Sequence, residues 1–416
     1  MRTHRRLRQM IPAVMGESKY ITLPQNLLIN AGTLREDFET IGQWSAVNGS
    51  VADNVTEFNT GTHSVKLTAN IGANAYTQKT ISWDLTGPKG FTVWIYLHDA
   101  LTSYTAFEVR IAEDAPFTKY FRWTLQASNL NAAESSGWIK FDFSAEDALL
   151  TGAPTWGTML RIRFYLTAAA GATPSASFDS FYTGIDALPA IILMHDDSRG
   201  AFYTNGWPLL KPYRIPLTVF TITALVGTAN YMTWAQLAEM ASYKVIIGNH
   251  GQNHTDLSTL TEAQQETEIQ AGIDDLTAQG YATDALYFAA PNGGWNADTI
   301  TALTAKGIRT FRNTEQWQYR LKNMPLNSSH KMGAQAISTT AVATVKGWID
   351  KAIAGRHLLP LYSHGIDDTV NNTPLANYTE IVDYIRTKAK SRSIYPITIA
   401  DYYNLTLGPA RVRKVI

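Results

Sequence analysis

The sequence predicts two unlike halves: an all-β sandwich over residues 33–186 and an α/β unit over residues 187–416, behind a basic arm at residues 1–32. Three observations predict this. Runs with period-two alternation, separated by turn residues, fill the first half. Near residue 187 the texture changes to apolar run followed by helical pattern. In the second half, groups of His and Asp follow three of those apolar runs.

The sandwich elements come in order. Ser64-Val65-Lys66-Leu67-Thr68 alternates, as does Phe91-Thr92-Val93-Trp94-Ile95-Tyr96. Trp138-Ile139-Lys140-Phe141-Asp142-Phe143 and Leu160-Arg161-Ile162-Arg163-Phe164-Tyr165 repeat the pattern. Such alternation puts one face in a core and one toward water, the mark of an antiparallel sandwich. A jelly roll is the most economical arrangement. The small and polar stretch 167–177 is a loop before the last strand. No internal repeat is present.

The α/β elements come next. Ile191-Ile192-Leu193-Met194 is a buried strand, and 215–223 is a second. Thr233-Trp234-Ala235-Gln236 is a capping box opening a helix with Leu237 and Met240 on its apolar side. Thr261-Glu262-Ala263-Gln264 opens another, with Ile269, Ile273 and Leu276 as its stripe and Gly280 as its stop. Strands at 286–288 and 308–311 bracket a helix over 298–306. Helices marked by Val345, Trp348, Ile349, Ile353 and by Leu375, Tyr378, Val382, Ile385 flank a strand at 358–362. The last strand is 395–399. About seven strands alternating with helices give a parallel sheet or an incomplete barrel.

Composition sets the limits. The 416 residues suffice for two domains, and 45% hydrophobic residues can fill two cores. Lys+Arg and Asp+Glu are both 35, so the formal charge is zero. That argues against nucleic acid as a partner. There is no cysteine, so any metal must be held by His and carboxylate. No apolar run has the length of a membrane span. Arg2, Arg5, Arg6 and Arg8 open the chain, but Pro12, Gly16 and Glu17 break up the stretch after them, so no clear signal peptide is expected. The arm is a flexible tail or a docking segment.

The chemistry concentrates at the strand ends. His195-Asp196-Asp197 follows the first strand of the α/β unit. His250-Gly251-Gln252-Asn253-His254 follows the run 245–248, and His364 follows Leu358-Leu359-Pro360-Leu361-Tyr362-Ser363. In barrels of alternating strands and helices, the carboxyl ends of the strands converge on the active face. Two imidazoles and a carboxylate there can hold zinc and leave a position open for water. Adjacent carboxylates can diverge, one to a metal and one to a water as general base. The turn Phe288-Ala289-Ala290-Pro291-Asn292-Gly293-Gly294-Trp295-Asn296 can aim backbone amides at a ligand, and Asn296 or Asp298 can cap the next helix. Trp295 and Trp317 can stack on sugar rings or pack in the core.

The order and spacing of these motifs resemble the polysaccharide deacetylase family, carbohydrate esterase family 4. The resemblance covers about residues 188–404 and includes Ile215-Pro216-Leu217-Thr218-Val219-Phe220, similar to the family's second strand. It implies a distorted (β/α)7-type barrel, with 187–416 as the catalytic domain. It implies Asp197, His250 and His254 as ligands of a divalent metal, most simply zinc. Asp196 would be the base and His364 the acid. A backbone amide at Asn292 would help hold the oxyanion. Substrate would be an acetylated polysaccharide, losing N- or O-linked acetyl groups. Residues 33–186 resemble a carbohydrate-binding jelly roll, a glycan-binding or assembly module.

Two departures from the family pattern stand out. The family's base-orienting Arg, two residues before the turn proline, is Ala289 here, and no Asp-rich fourth motif is visible near Arg312, Glu315 and Trp317. His195 also replaces an aromatic residue. In the sandwich, Asp37, Glu39 and Asp179 are candidates for a structural calcium site, and Trp44, Trp94 and Trp156 for sugar stacking. The rival reading is a non-catalytic glycan-binding protein with a degenerate deacetylase domain. Surface and cell-wall glycans place the protein outside the cytoplasm. A virion protein such as a bacteriophage tail component, released by lysis, fits the basic arm and the Thr/Asn/Gly-rich sandwich. So does a homo-oligomer or a secreted enzyme.

Overall fold

The computed structural model describes residues 28–30, 32–127, 130, 137–314, 331–369 and 371–406. The basic arm up to residue 27 and Trp317 lie outside the described residues.

The first half is a sandwich of two antiparallel sheets. Its early strands are β1 (Leu28–Asn30), β2 (Thr33–Glu36), β3 (Ser45–Val47), β4 (Gly49–Asn54), β5 (Ser64–Ala69), β6 (Asn74–Asp84) and β7 (Gly90–Leu97). The later ones are β8 (Tyr104–Ala112), β9 (Tyr120–Gln126), β10 (Trp138–Ser144), β11 (Leu149–Thr151), β12 (Thr158–Ala168) and β13 (Ser175–Ala187). One sheet has the order β10-β7-β13-β5-β4, with β1 and β2 also paired to β13; the other is β11-β9-β8-β12-β6-β3. The alternation seen in sequence sends Phe91, Val93 and Ile95 inward from one sheet and Ile162, Phe164 and Leu166 from the other. Trp44 is in this core, stacked on Phe38, and Trp156 stacks on Phe121 at 3.5 Å between centroids. Burial of the Trp44 ring removes it as a sugar platform, while Trp156 is half-buried against the core. Trp94 is half-buried on β7.

The second half is a sheet whose strand pairs are all parallel. It begins β14 (Ala190–His195), α1 (Trp207–Leu210), β15 (Thr218–Thr221), α2 (Trp234–Ser242), β16 (Ile246–Asn249) and α3 (Glu262–Ala278). Next come β17 (Tyr287–Ala289), α4 (Ala297–Ala305), β18 (Thr310–Arg312), β19 (Lys331–Met332), β20 (Gln335–Ala336) and α5 (Val342–Gly355). It ends with β21 (Leu358–Ser363), α6 (Leu375–Lys390), β22 (Tyr395–Ile397) and α7 (Ile399–Thr406). The path is β19-β18-β17-β16-β15-β14-β21-β20, with β22 beside β14. Its two end strands, β19 and β20, are separated by two residues of chain, so the sheet curls into an incomplete barrel. More strands appear than the seven expected, because two short ones occupy 331–336, where no periodicity announces them.

Side-chain alternation on β14 builds two cores at once. Ile191 and Leu193 face the helices, while Ala190, Ile192 and Met194 face the barrel interior with Phe220, Tyr287 and Tyr362. Both expected capping boxes form, at Thr233/Gln236 and Thr261/Gln264, and Asn296 caps α4 with Thr299. The halves touch where His357 is buried beneath Ser144, 3.1 Å away, and Asp147, 3.3 Å away. Among the described residues, no helix is long and apolar enough to cross a membrane.

Candidate functional site

The carboxyl ends of β14, β16, β17, β18 and β21 deliver the site. After β14 the Asp196 amide donates to the Ser363 carbonyl of β21, 2.9 Å away. Asp197 and Ser198 then take left-handed φ values of 66° and 49°. Few non-glycine residues adopt this conformation. Here it turns the two adjacent carboxylates in different directions.

After β16 a tight loop presents both histidines. Asn249 accepts from the Gly251 amide at 2.8 Å and donates to the Ile269 carbonyl of α3. Glu268 of α3 accepts from the Asn253 amide and side chain at 2.5 and 2.9 Å. Gly251 sits at φ 74°, and a Cβ there would meet Glu268 Oε1 at 2.8 Å. The loop is therefore clamped onto α3 by contacts that need a glycine.

Three donors converge. Asp197 Oδ1 is 3.4 Å from His250 Nε2 and 3.3 Å from His254 Nε2. The ligand atoms of these residues all lie within 4.8 Å of one another. His250 Nδ1 is 2.9 Å from the Ala289 carbonyl. That carbonyl can only accept, so the ring proton is on Nδ1 and the Nε2 lone pair faces the other donors. Burial would push the Asp197 carboxyl up, but the neighbouring His250 and His254 side chains outweigh it and hold it well below the carboxylate range. A carboxylate and two imidazoles, clustered and anchored from behind, fit a divalent cation with coordination positions to spare.

Asp196 points elsewhere. Its Oδ2 receives Arg312 Nη2 at 2.5 Å, and both side chains are almost fully buried. Its Oδ1 has no hydrogen-bond partner among the described residues. Arg312 is flanked by the rings of Phe220 and Tyr362. It ends β18 directly across from Ala289 of β17. The guanidinium missing at Ala289 is thus supplied by the residue paired with it on the next strand, which answers what holds Asp196. His364 follows β21 with its Nε2 3.9 Å from Asp196 Oδ2 and its Nδ1 3.5 Å from Ser338 Oγ. Burial lowers the His364 pKa, with Asp196 and Asp197 opposing that shift.

The remaining expected residues divide. Asn292 sits at φ 55° in the turn, and its side-chain amide reaches the His254 carbonyl at 3.4 Å. Trp295 packs edge-on against Phe311, 5.8 Å between centroids, as part of a small core cluster. His195 is fully buried and stacks flat on Phe202 at 3.7 Å, so it fills the aromatic role of the residue it replaces. In the sandwich, Asp179 accepts from the Asn59 and Thr60 amides, Glu39 from the Thr62 and His63 amides, and Asp37 from the Glu39 amide. Among the described residues these three carboxylates do not gather as a donor group.

Three supports were not anticipated. They are Arg312 as the partner of Asp196, Glu268 as the clamp, and Arg199. The Arg199 guanidinium grips Asp368 at 2.8 and 3.1 Å and ties the loop after β14 to the loop after β21. Strand-end position was the available signal for Arg312 and a place just past the Asp pair for Arg199; nothing local marks Glu268.

Residues 186–311 match the polysaccharide deacetylase family model. YxkH of Bacillus subtilis, named as a polysaccharide deacetylase, is 28% identical over 125 residues, 30% of this chain and 44% of that protein. The peptidoglycan-N-acetylmuramic acid deacetylase PdaA of the same organism is 26% identical over 138 residues, 32% of this chain and 49% of the relative. The chain thus spans about half the length of the curated relatives it matches. The family 11 carbohydrate-binding module of Clostridium thermocellum, solved with a mixed-linked tetrasaccharide, aligns with 38% of this chain and 94% of its own at 12% identity and a TM-score of 0.28. The segment that matches the family model carries Asp196, Asp197, His250 and His254, and His364 lies beyond it.

Proposed function

We propose that the protein is a metal-dependent hydrolase that removes acetyl groups from a bacterial surface or cell-wall polysaccharide. One observation carries the reading: the Asp197, His250 and His254 donors lie together beside an Asp196 that keeps one free oxygen. A divalent ion, most simply zinc, would be held by those three residues and would supply Lewis-acid polarisation of the acetyl carbonyl and a more acidic water.

The chain's own groups do the rest. Asp196 Oδ1 accepts the proton of the attacking water, while Arg312 holds Oδ2 and keeps the carboxylate fixed. His364, across from Asp196, protonates the departing amine or alcohol. Its partly open side chain leaves a path to substrate. The turn at Asn292, tied to the His254 loop, offers its backbone amide to the developing oxyanion. The sandwich serves binding or assembly, and the natural setting is extracellular or on a virion, such as a phage tail. A degenerate, non-catalytic domain would lack some of these groups.

Acetate release from acetylated glycans tests this, with Asp196→Asn and His254→Ala beside the parent protein. The parent should release acetate, Asp196→Asn should release it far more slowly, and His254→Ala should not release it. Metal bound by the parent with no acetate released from any glycan would favour the non-catalytic reading.

A further inference from the structure

Three arginines form one row across the second sheet of the sandwich. Arg163 of β12 lies opposite Arg110 of β8, and Arg110 lies opposite Arg122 of β9. Residues directly opposite share a face, so the three guanidinium groups share one surface. Arg161, two positions before Arg163, is on that surface too. The acid among them is Glu108, which accepts from Arg110 Nε at 2.7 Å. Four cations therefore face one anion.

This arrangement works against stability, because like charges directly opposite on a sheet repel. Rings hold the cations in place. The Arg163 guanidinium lies 4.4 Å from the Tyr76 ring and 3.7 Å from the Phe117 ring, and that of Arg110 lies 3.8 Å from Tyr165 and 5.4 Å from Tyr120. Arg110 and Arg163 both donate to the Tyr165 hydroxyl, at 3.2 and 3.3 Å. The Nε atoms of Arg122 and Arg161 are enclosed and have no hydrogen-bond partner among the described residues. All four arginines are half-buried. The site is a braced cationic surface.

We propose that this face binds an anionic polysaccharide, one whose sugar rings carry carboxylates. The guanidinium fork matches a carboxylate with two parallel hydrogen bonds. Strands about 4.8 Å apart give the row a span of about 10 Å, room for more than one charged ring. Tyr76 and Tyr120 flank the row and are half-buried. Glu108 can accept sugar hydroxyls and disfavours a phosphodiester chain. The proposal rests on the reading that the chain acts on a polysaccharide, and it names the charge class of that polysaccharide.

The test is calorimetric binding of the full chain to polygalacturonate, to neutral dextran and to a single-stranded oligonucleotide. Polygalacturonate carries no acetyl group, so failure to bind and failure to deacetylate are seen separately. Polygalacturonate should bind, more weakly as salt rises, and dextran should not. Arg122→Gln with Arg161→Gln should weaken binding by about tenfold or more, the loss of two charge-assisted contacts. The melting temperature of that variant should hold or rise, because repulsion is relieved. Equal binding of dextran, stronger binding of the oligonucleotide, or an unchanged affinity in the double variant would each overturn the proposal. A lower melting temperature with unchanged affinity would assign the row to structure alone.

Discussion

Arg312→Met removes the counter-charge of Asp196 while keeping a long apolar side chain. Arg312 is 0% exposed and Asp196 is 2% exposed, with their N and O atoms 2.5 Å apart. Two unit charges about 4 Å apart attract by about 4 kcal/mol at an effective dielectric near 20. Breaking one side of a buried pair costs about 3–5 kcal/mol, because the remaining charge is stranded. The variant should therefore lose on the order of 3 kcal/mol of stability in the metal-free protein. The stranded group is the Asp196 carboxylate, so neutralising it should restore most of the loss. Asp196→Asn combined with Arg312→Met should be much less unstable than the sum of the single changes. Urea unfolding of the four proteins, followed by tryptophan fluorescence, gives this coupling. A coupling of about 2 kcal/mol or more is expected. Additivity within about 0.5 kcal/mol, the usual result for independent sites, would refute the pairing and with it the view that Arg312 replaces the arginine absent at Ala289.

The same geometry sets other outcomes. His254→Ala should lower zinc affinity by more than the roughly 10–100-fold typical of groups behind the ligands, measured by competition with a chromogenic chelator; retained affinity would remove His254 from the donor set. Asp196→Asn and His364→Ala should both keep metal yet slow acetate release by roughly two to four orders of magnitude. The hydrogen bond from Arg199 is the main cause that holds the Asp368 carboxyl below its usual range. A depressed carboxyl adds stability at pH values above about 3.9 and loses that contribution as pH falls below it. Arg199→Gln should thus cost about 1–2 kcal/mol at pH 7, with the difference between parent and variant shrinking as pH falls below about 3.9, in urea melts across that range. A difference independent of pH would contradict the ion pair.

How far the sequence reached depended on whether a signal was local. The His and Asp groups were legible because each directly follows an apolar run, and the strand end fixes where its next residues go. The capping boxes at Thr233 and Thr261 were legible because the box lies within four residues. Arg312 was not, because its partnership depends on the register between β17 and β18, which places it opposite Ala289. The arginine row has the same character. The alternation around Arg161 and Arg163 is visible in the chain, but its alignment with Arg110 and Arg122 exists only across strands. His195 was opaque for another reason: its role is set by a ring, Phe202, on the segment beyond the loop. Trp44 and Trp156 show the converse. Both lie in the connections beside strands, where no local pattern marks whether a ring faces sugar or core; Trp44 is in the core and Trp156 is half-buried against it.

The most direct test of the central claim is acetate release by the chelator-stripped protein before and after zinc is restored, measured on acetylated bacterial surface polysaccharides and chitin oligomers. Release should be absent from the stripped protein, return on addition of about one zinc per chain, and fail to return in His254→Ala. Acetate release that is unaffected by chelation, or absent from every substrate while zinc is bound, would contradict a metal-dependent deacetylase built on Asp197, His250 and His254.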